Sequence, residues 1–493
     1  MRTDMYVTPT LARNRTPARR MAPRASRRDA WLQVPTTALT AAASLLMVGV
    51  TALLLLTHHS AVLTLAFPAM ATVLGAWLLF TDPGRYLAFV LWLWMLAPFV
   101  RRVVDAQNGW NQQNPILLAP LLVCGLCGLD ALYHAPRLAR VVALPFVAGM
   151  VSLLVAVLVG LFVTPPSLVL YAALSWMAPI LLGLHVAIHP EHREAYHRAI
   201  SRALLVGIVV MGIYGIAQFV MPAEWDRLWM INSRMDSIGE PFPLRVRVFS
   251  TMNAPGPLAQ FLTVALLIVL ALRTKLKWPA LAAGLLLLLM SLARSAWLGF
   301  AVGVALLLAV APRPARRGAI GLVVGAVLAL VVAASAPLPT ALASMRHTIA
   351  SRLTTIGDLS MDNSFRARRY LIPAVLADIG EQPLGSGLGS TLVGGARGRA
   401  TARLADQGLY LDNGILEVLL VMGWIGGLIF LGSAGGATWL AWRGTRGRPA
   451  GYGYLAGAMA LLAQVVGATI FTGVGGAMLW LSMSMAMTTG GET

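Results

Sequence analysis

Apolar blocks of roughly 20 residues follow one another from Thr37 to Met487, and they constrain this chain more than anything else in it. Each is about long enough to cross a hydrocarbon core of ~30 Å as a helix. The blocks lack the alternation of a half-buried strand, and in lipid every backbone group must be bonded internally, so helices rather than a barrel are expected. Composition agrees: 58% of residues are hydrophobic and 12% charged, with a mean hydropathy of +0.74. That excludes a soluble globular class and leaves no room for a separate soluble domain. The expected fold is all-α, a polytopic integral membrane protein of about 12–14 transmembrane helices with a large outward loop carrying short helices.

The candidate spans are Thr37–Leu56, Ala61–Phe80, Tyr86–Val100, Ile116–Leu132, Val141–Val163, Leu168–Ile188 and Ala203–Met221. They continue with Leu258–Leu272, Trp278–Leu292, Ala296–Val310, Ala319–Ala336, Ile415–Leu431, Tyr454–Thr472 and Val474–Met487. The third and last are short enough to be re-entrant or tilted. Residues 1–36, with eight arginines and several prolines, read as a disordered basic cytoplasmic tail ahead of an uncleaved first span. Residues 37–336 hold the first eleven spans with outer loops at 101–115 and 222–257; residues 337–413 form the large outer loop, and 414–493 the C-terminal spans.

Charge sets the orientation. The net charge is +19, and Lys275 and Lys277 are the only lysines. In a soluble protein such an excess would suggest nucleic acid; here the rule that basic residues stay inside explains most of it. With the tail inside, it and the loops Asp82–Arg85, Tyr133–Arg140, His189–Arg202, Arg273–Lys277, Pro312–Gly318 and Arg443–Pro449 hold 23 of the 38 Lys and Arg. Both termini then face the cytoplasm. Fifteen arginines defy the rule, among them Arg101, Arg102, Arg245, Arg247, Arg294, Arg366 and Arg369. Guanidinium is the group suited to bidentate recognition of phosphate, while local ion pairing in solvated loops is the plainer account of any single one. Arg294 is the sharpest case, because it sits in a minimal turn between two spans, where a cation must snorkel or meet an anion.

Other features divide between structure and chemistry. Glu224 to Met230 reads as an interfacial helix anchored by Trp225 and Trp229, and Phe365 to Ile379 as a helix ended by Pro383. Asp412 or Asn413 could cap the span that starts at Ile415, or Asp412 could act as a base. Gly385, Gly387 and Gly389 suit a tight turn with close backbone approach, or an anion nest. Cys124 and Cys127 are better explained as small packed residues than as a redox pair. Gly299 and Gly303 read as helix-packing positions. His185, His189 and His192 stand at a cytoplasmic span end, where an ordinary polar boundary explains them better than a metal cluster.

Four segments carry a family resemblance: Arg247-Val-Phe-Ser-Thr-Met-Asn-Ala-Pro-Gly, Ser291-Leu-Ala-Arg-Ser-Ala-Trp-Leu-Gly, Ser364-Phe-Arg-Ala-Arg-Arg-Tyr with Gln382-Pro-Leu-Gly-Ser-Gly-Leu-Gly, and Asp412-Asn-Gly-Ile-Leu-Glu. In order and placement, over Arg245 to Gly427, they resemble the O-antigen ligase and O-antigen polymerase superfamily of bacterial membrane glycan transferases. Pro255-Gly256 departs from the family's Pro-Asn, and Asp412 stands where its ligases commonly carry histidine.

The resemblance implies a multi-pass protein of the bacterial inner membrane, active at its periplasmic face, that transfers a glycan from undecaprenyl pyrophosphate without cofactor or metal. It implies Arg366 and Arg294 as catalytic residues and Arg247 as a substrate-binding one; Asp412 is the candidate catalytic base, and Arg369, three residues from Arg366 on one helix face, joins Arg245 and Asn413 as further candidate substrate-binding residues. The expected partners are the undecaprenyl-pyrophosphate-linked oligosaccharide, membrane lipids, and the flippase and chain-length regulator of the same pathway, with no nucleic acid. Aspartate at position 412 favours a polymerase of O-antigen or exopolysaccharide repeat units. A ligase acting on lipid A-core, or a protein O-glycosyltransferase, is the near alternative. A flippase for lipid-linked sugars is the alternative of another class, and spans almost free of charge argue against it.

Overall fold

The computed structural model describes residues 36–335, 372–391 and 412–487, except 234, 374, 378, 447 and 449, with backbone only at a few helix positions. The described residues are helical and contain no strand; one isolated antiparallel bridge joins Gly239 to Val246. The helices are α1 (Thr36–Leu56), α2 (Leu63–Thr81), α3 (Pro83–Asn108), α4 (Leu118–Gly125), α5 (Cys127–Tyr133), α6 (Leu144–Val163), α7 (Pro166–Ile188) and α8 (Arg193–Val220). After these come α9 (Glu224–Ser233), α10 (Pro255–Ala271), α11 (Lys277–Met290), α12 (Arg294–Val310), α13 (Arg313–Ser335), α14 (Gly414–Gly444), α15 (Gly451–Leu462) and α16 (Gly473–Ala486). Among the described residues, eight helical spans are long and apolar enough to cross a membrane, and five shorter helices are also apolar. The chain is an all-α polytopic membrane protein.

Burial separates the helices by role. Every residue of α10 from Leu258 to Leu270 is buried, as is every residue of α16 from Val474 to Ala486. A helix apolar on all sides belongs inside a bundle, and these two short helices form its centre. By contrast, α1 exposes Leu45, Leu46, Val48 and Leu53, a face that suits lipid. Close approach rests on small residues. A side chain at Gly299 or Gly303 of α12 would meet the α15 backbone at Ala460 or Ala456, as the packing reading expected.

Several boundaries differ from the sequence reading. The third span is not short: α3 runs on to Asn108 and carries Arg101 and Arg102 on the helix rather than in a loop. The charges do not end the helix because both arginines find carboxylates within the fold. The span after it is broken into α4 and α5 near Gly125. Cys124 and Cys127 flank that break as free, fully buried thiols. The basic loop expected over His189–Arg202 is helical from Arg193 onward. The interfacial helix exists as α9, but Trp229 is buried and gives its indole N–H to the Asn253 carbonyl, so it anchors to protein rather than lipid.

Contacts divide the chain ends of the helices into two faces. The first gathers the end of α3, α9, the 236–253 connection, the α11–α12 turn, the start of α14 and the α15–α16 connection. The second gathers Asp130 to Arg140, His185 to His197, and the ends of α14 and α16, where Arg193 donates to the Met487 carbonyl.

Candidate active site

The first face is built around a buried ion pair. Arg102 Nη1 lies 2.8 Å from Asp226 Oδ1 with neither side chain exposed. The two atoms are off the line of a hydrogen bond, so the attraction is coulombic. Arg102 Nη2 donates to the Ser250 carbonyl at 2.6 Å, and its guanidinium stacks on Phe249 at 4.8 Å. Asp226 Oδ2 accepts from the Tyr214 hydroxyl at 2.8 Å and from Gln218 Nε2 at 2.9 Å. Gln218 Oε1 in turn accepts the backbone N–H groups of Phe249 and Ser250. Ser250 is thereby held at φ 52°, a left-handed conformation that a serine adopts only when its surroundings enforce it. This network fixes the segment 247–253 before α10 begins.

Arg247 fastens the same segment to the next turn. Its Nε donates to the Ser291 carbonyl at 2.5 Å, Nη2 to Leu292 at 3.1 Å and Nη1 to Ser237 at 3.0 Å. The Val248 N–H adds a bond to the Met290 carbonyl. Thus Arg247 shapes the α11–α12 turn, which presents Arg294 two residues later as the first residue of α12. A cation there opposes the helix dipole, which favours anions by about 0.3–1 kcal/mol at that end. Helix stability therefore does not account for Arg294. Arg245 lies further out on the 239–246 hairpin, where its ion pair with Glu240 at 2.8 Å holds the fully exposed guanidinium above its ordinary range.

Asn413 resolves the capping question. Its side-chain oxygen accepts from the N–H groups of Ile415 and Leu416, both at 3.0 Å, so Asn413 caps α14 and Asp412 precedes the cap, exposed. The Gly414 N–H donates to the Val465 carbonyl. Ala460 and Gln464, just before that carbonyl, pack on Gly299 of α12. The α15–α16 connection therefore stands between the helix starts that carry Arg294 and Asp412. In the first turn of α14, Glu417 has a buried Oε2 with no hydrogen-bond partner among the described residues. A buried unpaired carboxylate oxygen is costly, and native proteins retain few. Sequence reasoning missed Glu417, because an acid four residues past the cap reads as an ordinary helix-start residue.

The segment Pro383–Gly389 docks on α14 where that helix breaks. Gly423 has φ 68° and ψ 176°, outside helical values. The N–H groups of Ser386 and Gly387 donate to the carbonyls of Leu420 and Val421 that the break exposes, at 2.9 and 3.0 Å. A Cβ on Gly385 would collide with the backbone at Gly423, and one on Gly387 with the backbone of Gly160 in α6. Both have positive φ, 73° and 76°. The glycines serve close backbone approach, the tight-turn alternative of the sequence reading.

Residues 279–431 match the family model described as O-Antigen ligase. Over that segment the chain is similar to the O-antigen ligase family. No curated protein matches the chain closely enough to add a relative. The ligase segment takes in the Arg294 turn, the Pro383–Gly389 docking loop, the Asn413 cap and the Gly423 break. Arg366 and Arg369 fall within it but lie outside the described residues. The Arg102–Asp226 network lies before it, and sequence reasoning missed the pair: the signal was a charged residue at each of two span ends. Beside the network is a cavity of about 230 Å³ lined by Asp105, Trp110, Trp225, Trp229 and Asn232. Aromatic faces with a few fixed polar groups suit a ring that is apolar on one side and hydroxylated at its edge.

Proposed function

We propose that this protein polymerises undecaprenyl-pyrophosphate-linked oligosaccharide repeat units at the periplasmic face of the bacterial inner membrane. The match of residues 279–431 to the family model described as O-Antigen ligase supports the broader reaction. The observation that supports the reading is that Arg294, at the start of α12 after the turn Arg247 clamps, and Asp412, exposed just before the Asn413 cap of α14, lie at helix starts gathered on one face.

In the reaction, an acceptor hydroxyl attacks the anomeric carbon of the donor glycan. The new C–O bond forms as the bond from that carbon to pyrophosphate oxygen breaks, and undecaprenyl pyrophosphate leaves. Asp412 accepts the hydroxyl proton. Arg294 and Arg366 meet the charge that develops on the leaving oxygens, which is preorganised electrostatic stabilisation. Arg245, Arg247, Arg369 and Asn413 complete the binding surface, directly or by shaping it.

Single replacements of Arg294, Arg366 and Asp412 by alanine, in cells making the native glycan, test this. Accumulation of single lipid-linked repeat units supports a polymerase. Long lipid-linked polymer that never reaches lipid A-core or protein points instead to a ligase. Normal glycans in all three variants, with the protein present in the membrane, refute the assignment.

A further inference from the structure

The second face holds a cluster that the transfer reaction does not use. Asp130 of α5 is nearly buried and has three imidazoles around it. Its Oδ1 is 3.0 Å from His134 Nδ1; its Oδ2 is 3.0 Å from His189 Nε2 and 2.7 Å from His185 Nδ1. Asp130 and His134 are four residues apart, as are His185 and His189, so each pair shares one face of a helix end. Facing i, i+4 pairs from two helices are a recurrent way to build a metal site inside a bundle.

We propose that Asp130, His134 and His189 form a binding site for a divalent transition-metal ion of the zinc type, on the face opposite the transfer site. Their ligand atoms lie within 4.8 Å of one another. Ligands about 2 Å from a tetrahedral ion stand roughly 3–3.5 Å apart, so the three ligand atoms need to close by no more than about 2 Å onto an ion, with one oxygen of Asp130 as ligand. Two imidazoles and a carboxylate suit such an ion and leave a position for water or a further ligand.

The surroundings match what a metal centre requires beyond its ligands. His189 Nδ1 lies 3.1 Å from Glu191 Oε1, and Arg137 holds that carboxylate at 2.6 Å. Arg137 Nη1 also lies 2.8 Å from the same Nδ1, so Glu191 and Arg137 together hold the ring in place, the part that outer partners play for a metal-bound imidazole. On the other side, His185 lies between Asp130 and the Tyr196 hydroxyl, 3.1 Å from its Nε2, and so orients the ligating carboxylate. His134 is 27% exposed, which gives an ion a path to the site from water. The ion would tie the end of α5 to the end of α7, an interface otherwise made by side-chain hydrogen bonds.

The experiment uses the full-length chain purified in detergent. After equilibration with buffered Zn²⁺, elemental analysis should find about one ion per chain, held by three protein ligands. Replacement with Co²⁺ should give visible bands of nitrogen and oxygen ligation with no thiolate band, since Cys124 and Cys127 are not ligands. His134→Ala and His189→Ala should abolish uptake, Glu191→Gln should weaken it by roughly 10–100-fold, and His192→Ala should leave it intact. Elution volume and tryptophan fluorescence show whether each variant is folded, and the Co²⁺ spectrum of the unaltered protein needs no variant. Absence of Zn²⁺ uptake and of Co²⁺ bands in the unaltered protein overturns the proposal. Loss of binding in a folded His192→Ala but not in His134→Ala overturns it as well.

Discussion

Arg102, near the end of α3, and Asp226, in α9, face each other at 2.8 Å with both side chains wholly buried. Removing one partner strands a charge in the interior, which costs about 3–5 kcal/mol. Asp226→Ala should therefore lower the melting temperature in detergent sharply. The double replacement Arg102→Met with Asp226→Leu should cost much less, because well-packed apolar residues can replace a buried pair at little loss. Equal destabilisation by the single and double variants would show that the pair is not what holds α9 down.

Glycines of α14 should respond in opposite directions. Gly423→Ala puts a side chain on a residue with φ 68° against the Pro383 backbone, which costs about 1–3 kcal/mol or more. Gly435→Ala, on the same helix with open space around it, should be neutral or stabilising by up to about 1 kcal/mol. Thermal unfolding followed by tryptophan fluorescence distinguishes them, and similar behaviour of the two would refute the docking role of the break.

Asn413 and Asp412 are neighbours with separable roles. Asn413→Ala should cost about 1 kcal/mol through the lost cap and reduce transfer only modestly. Asp412→Asn should make transfer to the acceptor fall far more steeply than its effect on melting accounts for. If Asp412→Asn lowers stability and spares transfer, the base is elsewhere, with Glu417 the next carboxylate on that turn.

Arg247 acts through geometry. Lysine keeps the charge but has no planar fork, so Arg247→Lys should fail to hold the three carbonyls that the guanidinium reaches. Transfer in a membrane assay should then drop nearly as far as in Arg247→Ala. Full activity in the lysine variant would mean that charge alone is required. Arg294→Ala should lower the transfer rate by roughly 10²–10³-fold, the usual loss when one preorganised charge-stabilising donor is removed.

How far each feature was legible follows from its range in the chain. The helical character of the spans, the α9 helix, the packing glycines of α12 and the alternatives for position 412 all rest on neighbours within a turn or two. The Arg102–Asp226 pair, the clamp of Arg247 on Ser291 and the insertion of Pro383–Gly389 into the Gly423 break join segments far apart in sequence. A charge at a span end looks the same in one dimension whether it is solvated or paired. For that reason Arg101 and Arg102 were read as loop residues, and Trp229 as a lipid anchor.

By itself the sequence determined that this chain lives in a membrane as helices, and which family model its 279–431 segment matches. Those properties are sums over local hydropathy and charge, or short motifs, and they need no knowledge of the fold. Only the tertiary structure decided what the polar groups do there. It made Arg247 a shaper of the turn before Arg294, gave the cap to Asn413, and gathered three histidines around Asp130. In a bundle so poor in charge, the partner of each polar side chain is set by helix packing, because burial makes an unpaired group too costly to leave to chance.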